Sequence, residues 1–229
     1  MIKTERFQYV VFNPRTRLNA AEYYLHASYS LWNEVWSQAL EELEGVSTVA
    51  SDDFTRHDEI HAVFDGDRAV GSISFSTVDL SKVMWKRDSY FKVWPADVLE
   101  RLAKVYPGRA VNLGCYFTLA PEWRRDAGGF SMKRLMMALA VEQFLHSRSQ
   151  GMVGTMRVNR GMHTICYELG AEPLAKNVEQ HGVGVDLLIY DRRRIEEEFL
   201  NAPYMPEARE IYKRVLNFES APLLEKRAA

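Results

Sequence analysis

The sequence predicts an α/β protein with a mixed central sheet flanked by helices on both faces. Three observations carry that expectation. Strand-like and helix-like segments alternate along the chain, with a hairpin at Asp65-Gly66. The run Val111 to Leu119 is nearly continuous in apolar residues, as a central strand covered on both sides would be. A glycine-bearing turn joins that run to a long amphipathic segment, Met132 to His146, so strand, turn and helix follow in order.

Phe7 to Phe12 alternates weakly and is expected to be the first strand. Ala20 to Leu43 carries Tyr23, Tyr24, Ala27, Leu31, Val35, Trp36, Ala39 and Leu43 at near-helical spacing and closes at Gly45. His61 to Phe64 and Arg68 to Phe75 form a hairpin, because Asp65-Gly66 suits a tight turn with positive φ. Asp79 to Arg109 is aromatic and basic, with a helix expected from Pro95 to Val105 that uses proline at its first turn. After Met132 to His146 come a strand at Met152 to Val158, a helix from Met162 to Leu169 closing at Gly170, and a strand at Val183 to Tyr190. Arg192 to Phe218 is charged and helical, interrupted around Pro203 and Pro206. No repeat or low-complexity linker divides the chain. The expectation is one domain with a helical C-terminal extension over about 192–229.

With 229 residues, 47% of them hydrophobic, the chain can bury a sizeable core. Its formal net charge of −2 gives no overall attraction to nucleic acid or to an anionic membrane. Two cysteines, Cys115 and Cys166, make no disulfide framework. Charges in Met1 to Arg6 stand where a secretory signal needs apolar residues. Leu135 to Leu145 is interrupted by Glu142 and Gln143, far short of a membrane span. A cytoplasmic protein is expected. His57, His61 and Cys166 have no metal-ligand spacing, so no metal is assigned.

The segment Leu119 to Met132 holds the strongest chemical signal. Strand, glycine turn and helix start gather free backbone N–H groups and the positive end of a helix around one space, which suits a phosphate or pyrophosphate. Arg124 and Arg125 add planar cationic forks for phosphate oxygens. Leu119, Pro121, Arg124 and Arg125, then Gly128 and an apolar helix, resemble the acyl-CoA-binding motif of the GNAT superfamily of acyltransferases. That motif reads Arg or Gln, two residues, Gly, one residue, then Gly or Ala. Arg125, Gly128 and Phe130 hold those positions, with Phe in place of the last small residue. Asn159 after the next strand, and Tyr167-Glu168-Leu169-Gly170-Ala171, resemble the superfamily's second landmark, one residue short. The resemblance covers roughly Ile60 to Tyr190.

It implies a sheet that splays at the fourth strand, where the arm of an acyl-CoA or acyl-carrier-protein donor inserts. It also implies that backbone near Phe117 and Leu119 bonds the pantetheine and thioester. Arg124, Arg125, Gly128, Gly129, Phe130, Ser131 and Asn159 would hold the rest of the donor. Strand N–H groups aimed at a thioester oxygen would stabilise the oxyanion formed when an amine attacks.

A narrower resemblance lies N-terminal. Ser28 to Trp36, then Asp52 to Glu59, then the hairpin, are similar to the start of the branch that holds acyl-homoserine-lactone synthases and N-acyl amino acid synthases. Autoinducer synthases carry a Glu, and an Arg three residues later, on the fourth strand; Leu113 and Tyr116 stand there in this chain. Ser28 or Ser30 replaces their early arginine. Homoserine-lactone synthesis is therefore not the first expectation, and long-acyl transfer to an amine is.

Proton transfer points to Asp58, Glu59 and His61 at strand ends beside the splay, or to a solvated loop. The resemblance makes Tyr167 the proton donor to the leaving thiolate; without a one-residue deletion Cys166 takes that position. Both also read as helix packing, and His163 with Cys166 could in principle pair on one helix face. Trp32, Trp36, Met84, Trp85, Tyr90, Phe91, Trp94, Met136 and Met137 suit an acyl tunnel or ordinary core. The Asp79 to Trp94 insert, with Lys82, Lys86, Arg87 and Lys92, suits a lid or a face for an acidic carrier protein. The expected partners are a small-molecule amine acceptor and acyl carrier protein, around a monomer or homodimer. An acetyl-CoA-dependent N-acetyltransferase and a non-catalytic donor-binding module are the alternatives.

Overall fold

The structure, a computed structural model, describes residues 4–16 and 19–218. Residues 219–229 of the expected C-terminal extension and the first residues of the charged N-terminus lie outside the described residues. The first half holds β1 (Phe7–Phe12), α1 (Asn19–Glu44), α2 (Asp52–Thr55), β2 (Glu59–Asp65), β3 (Arg68–Asp79) and α3 (Ala96–Val105). The second holds β4 (Ala110–Leu119), α4 (Met132–His146), β5 (Gly151–Arg157), α5 (Met162–Glu168), β6 (Glu172–Gln180) and β7 (Val183–Asp191). The described residues close with a helical turn, α6 (Arg192–Arg194), a π-helical turn (Ile195–Phe199), α7 (Met205–Tyr212) and a short β8 (Leu216–Asn217).

All eight strands join one sheet in the order β6-β7-β5-β4-β3-β2-β1-β8. Two pairs, β4 with β5 and β1 with β8, are parallel and the rest antiparallel. Strand alternation sends side chains to both faces, and helices cover each. Phe7, Tyr9 and Val11 point with Met152, Leu188 and Tyr190 into a core closed by α4, α5 and α7. Val10, Phe12, Ile60, Ala62 and Phe64 pack instead under α1 and Phe54 of α2. Val111, Leu113, Val153, Leu187 and Ile189 meet α3 and the aromatic insert, where Trp85, Phe91 and Trp94 are buried. Met136 and Met137 are core residues of α4.

The expected elements form close to the expected bounds. Gly45, at φ +69°, follows α1, and the hairpin turn falls at Gly66-Asp67, with Gly66 at φ +60°. Strand β6 has no counterpart among the expected elements. It is an edge strand carrying Pro173, Lys176 and Glu179, mostly exposed, with two register shifts against β7. The C-terminal segment differs too. Pro206 lies in the first turn of α7, where its missing N–H costs nothing, so it starts a helix rather than interrupting one. The segment then folds back as β8 beside β1. Arg192 ties its beginning to the end of α4, donating to the carbonyls of Phe144, Leu145, Ser147 and Ser149 at 2.6–2.9 Å.

Candidate active site

The sheet opens between β4 and β5. They pair only from Val111↔Gly151 to Gly114↔Gly154. Beyond that rung β4 follows β3 to Leu119, while β5 follows β7 to Arg157. A β-bulge lies where they part: Ser72 opposes Thr118 and Ser74 opposes Cys115, which leaves one extra residue on β4. Tyr116, inside the bulge, has φ +50°, a conformation a tyrosine adopts at a cost of about 1–3 kcal/mol. Tyr90, from the insert, puts its hydroxyl at the closed end of the gap, 3.4 Å from the Gly114 carbonyl oxygen.

Past the bulge, the Ala120 N–H donates to Val70 of β3. Alternation then turns the backbone groups of Leu119 and Phe117 away from β3 and toward the gap. The Leu119 carbonyl accepts from Arg124 Nε at 3.1 Å. Phe117 packs its ring on the α4 side, whereas Cys115 and Tyr116 pack on the other.

A two-residue turn precedes α4. Ala127 and Phe130 exchange both backbone hydrogen bonds, at 3.0 and 2.9 Å, around Gly128 (φ +57°) and Gly129 (φ +79°). Positive φ at both central residues is the reason for a glycine pair. Phe130 stacks on Phe7, centroids 5.7 Å apart, which accounts for a large residue where the motif has a small one. Ser131 caps α4, its Oγ accepting from the Arg134 N–H at 3.5 Å. The backbone N–H of Ser131 donates to Tyr204 Oη at 2.7 Å, and that hydroxyl donates to the Gly129 carbonyl at 3.3 Å. Two cavities flank the turn. One of about 360 Å³ is lined by Arg125, Arg68 and Met132, and a cleft of about 1040 Å³ by Arg6, Gly128, Gly129 and Tyr204. Asn159 is exposed, in the helical turn Val158–Arg160 that follows β5.

Glu59 and His61 are brought together. His61 Nε2 lies 2.8 Å from Glu59 Oε2, and its Nδ1 lies 3.0 Å from Tyr9 Oη. The network continues through Gln143 to Glu59 (3.4 Å) and Tyr212 to Gln143 (2.9 Å). Both ring nitrogens of His61 are therefore engaged, on β2, which β3 separates from β4. Asp58 accepts from the Thr77 N–H at 2.8 Å.

Tyr167 stands on α5 and donates to Asp186 Oδ2 at 2.6 Å. Asp186 pairs in register with Met156, on the stretch of β5 that β4 has left. Burial, then the Asp186 hydrogen bond, raises the Tyr167 phenol. Cys166 faces the core with no exposure, and burial pushes its thiol up to about 12. Among the described residues no group of three or more His, Cys, Asp or Glu could hold a metal ion, and no helix is long and apolar enough to cross a membrane.

One residue of interest was weighed in the sequence only as a metal ligand: His57. It is 3% exposed, its Nδ1 lies 2.9 Å from Ser76 Oγ, and its Nε2 is buried without a hydrogen-bond partner. Burial, then the charge of Arg56, lowers its pKa to about 4. Nothing in the sequence but its place after Phe54 and before the hairpin hinted at burial.

No protein-family model matches the chain, and no curated protein matches it by sequence. Solved structures do share its fold. A CoA-dependent acyl-homoserine lactone synthase, BjaI, with SAM and isopentyl-CoA, is 14% identical, with 92% of this chain and 93% of that one covered and a TM-score of 0.57. FeeM, an N-acyl amino acid synthase from uncultured soil microbes, is 13% identical over 87% of this chain and 99% of its own, at 0.54. The acyl-homoserine lactone synthase LasI is 12% identical over 96% and 98%, at 0.51. The chain thus has the fold of the synthase branch that its N-terminal segments resemble: a GNAT-like mixed sheet, open at the fourth strand, between two layers of helices.

Proposed function

We propose that this chain is an N-acyltransferase that moves an acyl group from a pantetheine thioester, acyl-CoA or acyl carrier protein, to the primary amine of an amino acid. One observation carries the reading. The sheet opens beside a bulged strand whose Phe117 and Leu119 backbone groups face the gap, and the same strand leads, through a helical turn at Pro121–Trp123, to a glycine turn and helix start. A thioester arm laid in the gap would place its carbonyl oxygen against strand N–H groups and its phosphate near Gly128, Gly129 and Ser131, with Arg124 and Arg125 adjacent. The shared fold supports it, since BjaI was solved with isopentyl-CoA and FeeM makes N-acyl amino acids.

In this reading the amine attacks the thioester carbon, the carbonyl oxygen gains charge against the strand N–H groups, and the C–S bond breaks. We assign Tyr167 to the leaving thiolate, its hydroxyl turning there from Asp186. Its raised pKa keeps the proton on the phenol, so the hydroxyl would act as a hydrogen-bond donor to sulfur. Cys166 lies in the core and takes no such part. Leu113 is buried against the insert and Tyr116 faces α1, so neither supplies the charged pair of autoinducer synthases. This supports an acceptor other than the one those enzymes use. Mass spectrometry of ligands that co-purify from the host tests the proposal. A long-chain N-acyl amino acid or acyl thioester supports it, bare acetyl-CoA favours an acetyltransferase, and tight donor binding without turnover favours a binding module.

A further inference from the structure

Two unfavourable features of this fold touch one another where the sheet opens. Tyr116 holds a left-handed backbone, and His57 keeps a buried ring nitrogen without a partner. Their rings meet edge to face at 5.6 Å between centroids. An unsatisfied buried polar group is costly, and so is a strained backbone, so each calls for an explanation. Tyr116 is held on its other sides by Trp36 at 4.9 Å, Trp32 at 5.6 Å, and Arg56 Nη2 at 3.4 Å from its hydroxyl. The bulge therefore sets the Tyr116 ring, with the His57 imidazole packed against it, on the α1 side of the sheet where it opens.

We infer that His57 Nε2 accepts the proton that the attacking amine loses during acyl transfer. The inference rests on the acyl-transfer reading above. When Nδ1–H donates to Ser76 Oγ, the neutral imidazole carries its lone pair on Nε2, the nitrogen with no other partner. His61 differs, because both of its nitrogens are engaged. In the step, the amine nitrogen forms a bond to the thioester carbon and the C–S bond breaks to thiolate. The extra proton on nitrogen passes to Nε2 and then to the thiolate or to water. Amide and free thiol result, with His57 neutral again. The charged groups around the ring are Arg56, which opposes its protonation and pairs with Asp53, and Asp58 and Asp88; the Asp53 backbone carbonyl also favours the protonated ring. The carboxylates of Asp58 and Asp88 favour the imidazolium formed in the step.

The test uses the full chain with decanoyl-CoA, decanoyl-acyl carrier protein and a mixture of L-amino acids, reading thiol release and N-acyl product in single turnovers. If wild type forms no amide from either donor, the acyl-transfer reading fails and this inference with it. Given transfer by wild type, His57→Gln should slow the single-turnover rate about 100-fold, with donor affinity by calorimetry unchanged. In His57→Ala, added imidazole should recover at least about tenfold of the lost rate, which a purely structural role would not allow. A folded His57→Gln within about threefold of wild type overturns the inference and leaves acyl transfer intact. So does a deficit in His57→Ala that imidazole leaves untouched. If both variants fail to fold, Ser76→Ala decides. It keeps the imidazole but removes the partner that fixes its tautomer, so the rate should drop about tenfold, and an unchanged rate overturns the inference.

Discussion

The hydroxyl of Tyr204 accepts from the backbone N–H of Ser131 at 2.7 Å and donates to the Gly129 carbonyl at 3.3 Å. A tyrosine with φ +69°, from the turn before α7, thus occupies the N–H at the start of α4 that the proposed donor phosphate would use. A donor phosphate that uses this N–H must displace the phenol, giving up a hydrogen bond of about 1 kcal/mol. Tyr204→Phe should therefore tighten binding of CoA by about fivefold in a calorimetric titration. Weaker binding would mean that the phenol helps hold the donor.

Gly128→Val forces a β-branched residue into a backbone with φ +57°. A Cβ there meets open space, so strain and not collision sets the cost, about 1–2 kcal/mol, seen as a lower Tm. The side chain also projects beside the proposed phosphate path, and donor affinity should fall with the fold intact. Unchanged affinity by calorimetry would remove the turn from the donor site.

Tyr167→Phe keeps the ring and removes the hydroxyl held by Asp186. The single-turnover rate with saturating donor should fall about 100-fold while donor affinity persists. Cys166→Ala should instead appear as lost stability, about 1–2 kcal/mol, because it empties a core position. A rate loss confined to Cys166→Ala would reverse the assignment.

The pH dependence of stability follows from His57. Its folded pKa, about 4, lies below the ordinary 6.5, so the unfolded chain binds its proton first as pH falls. The stability contribution is intact above 6.5 and is lost progressively down to about 4, reaching about 3 kcal/mol at most. In urea unfolding, wild type should lose more stability across this window than His57→Gln does. Equal losses would show that the imidazole is not held neutral.

Much of the fold was legible because single residues dictate it. The apolar run of β4 needs cover on both faces, and the Gly128-Gly129 pair marks a turn before a helix. Strand β6 was hidden by its polar, edge-strand composition, and β8 by a segment that reads as charged helix. The site was legible only where the backbone makes it. His57 and Tyr204 are placed by burial and by hydrogen bonds to residues far away in sequence or in other elements, Ser76 for one and Ser131 for the other. No local pattern marks such a pairing.

Amide formation across a series of acyl donors tests the central claim most directly. Acyl-CoA and acyl-carrier-protein thioesters, from acetyl to decanoyl, are offered with amino acids, and N-acyl product is measured by mass spectrometry. The account predicts N-acyl amino acids, with kcat/KM rising along the series by up to about fourfold per methylene, as each buried CH₂ contributes about 0.8 kcal/mol. Activity confined to acetyl-CoA, or thiol release without amide, would contradict it.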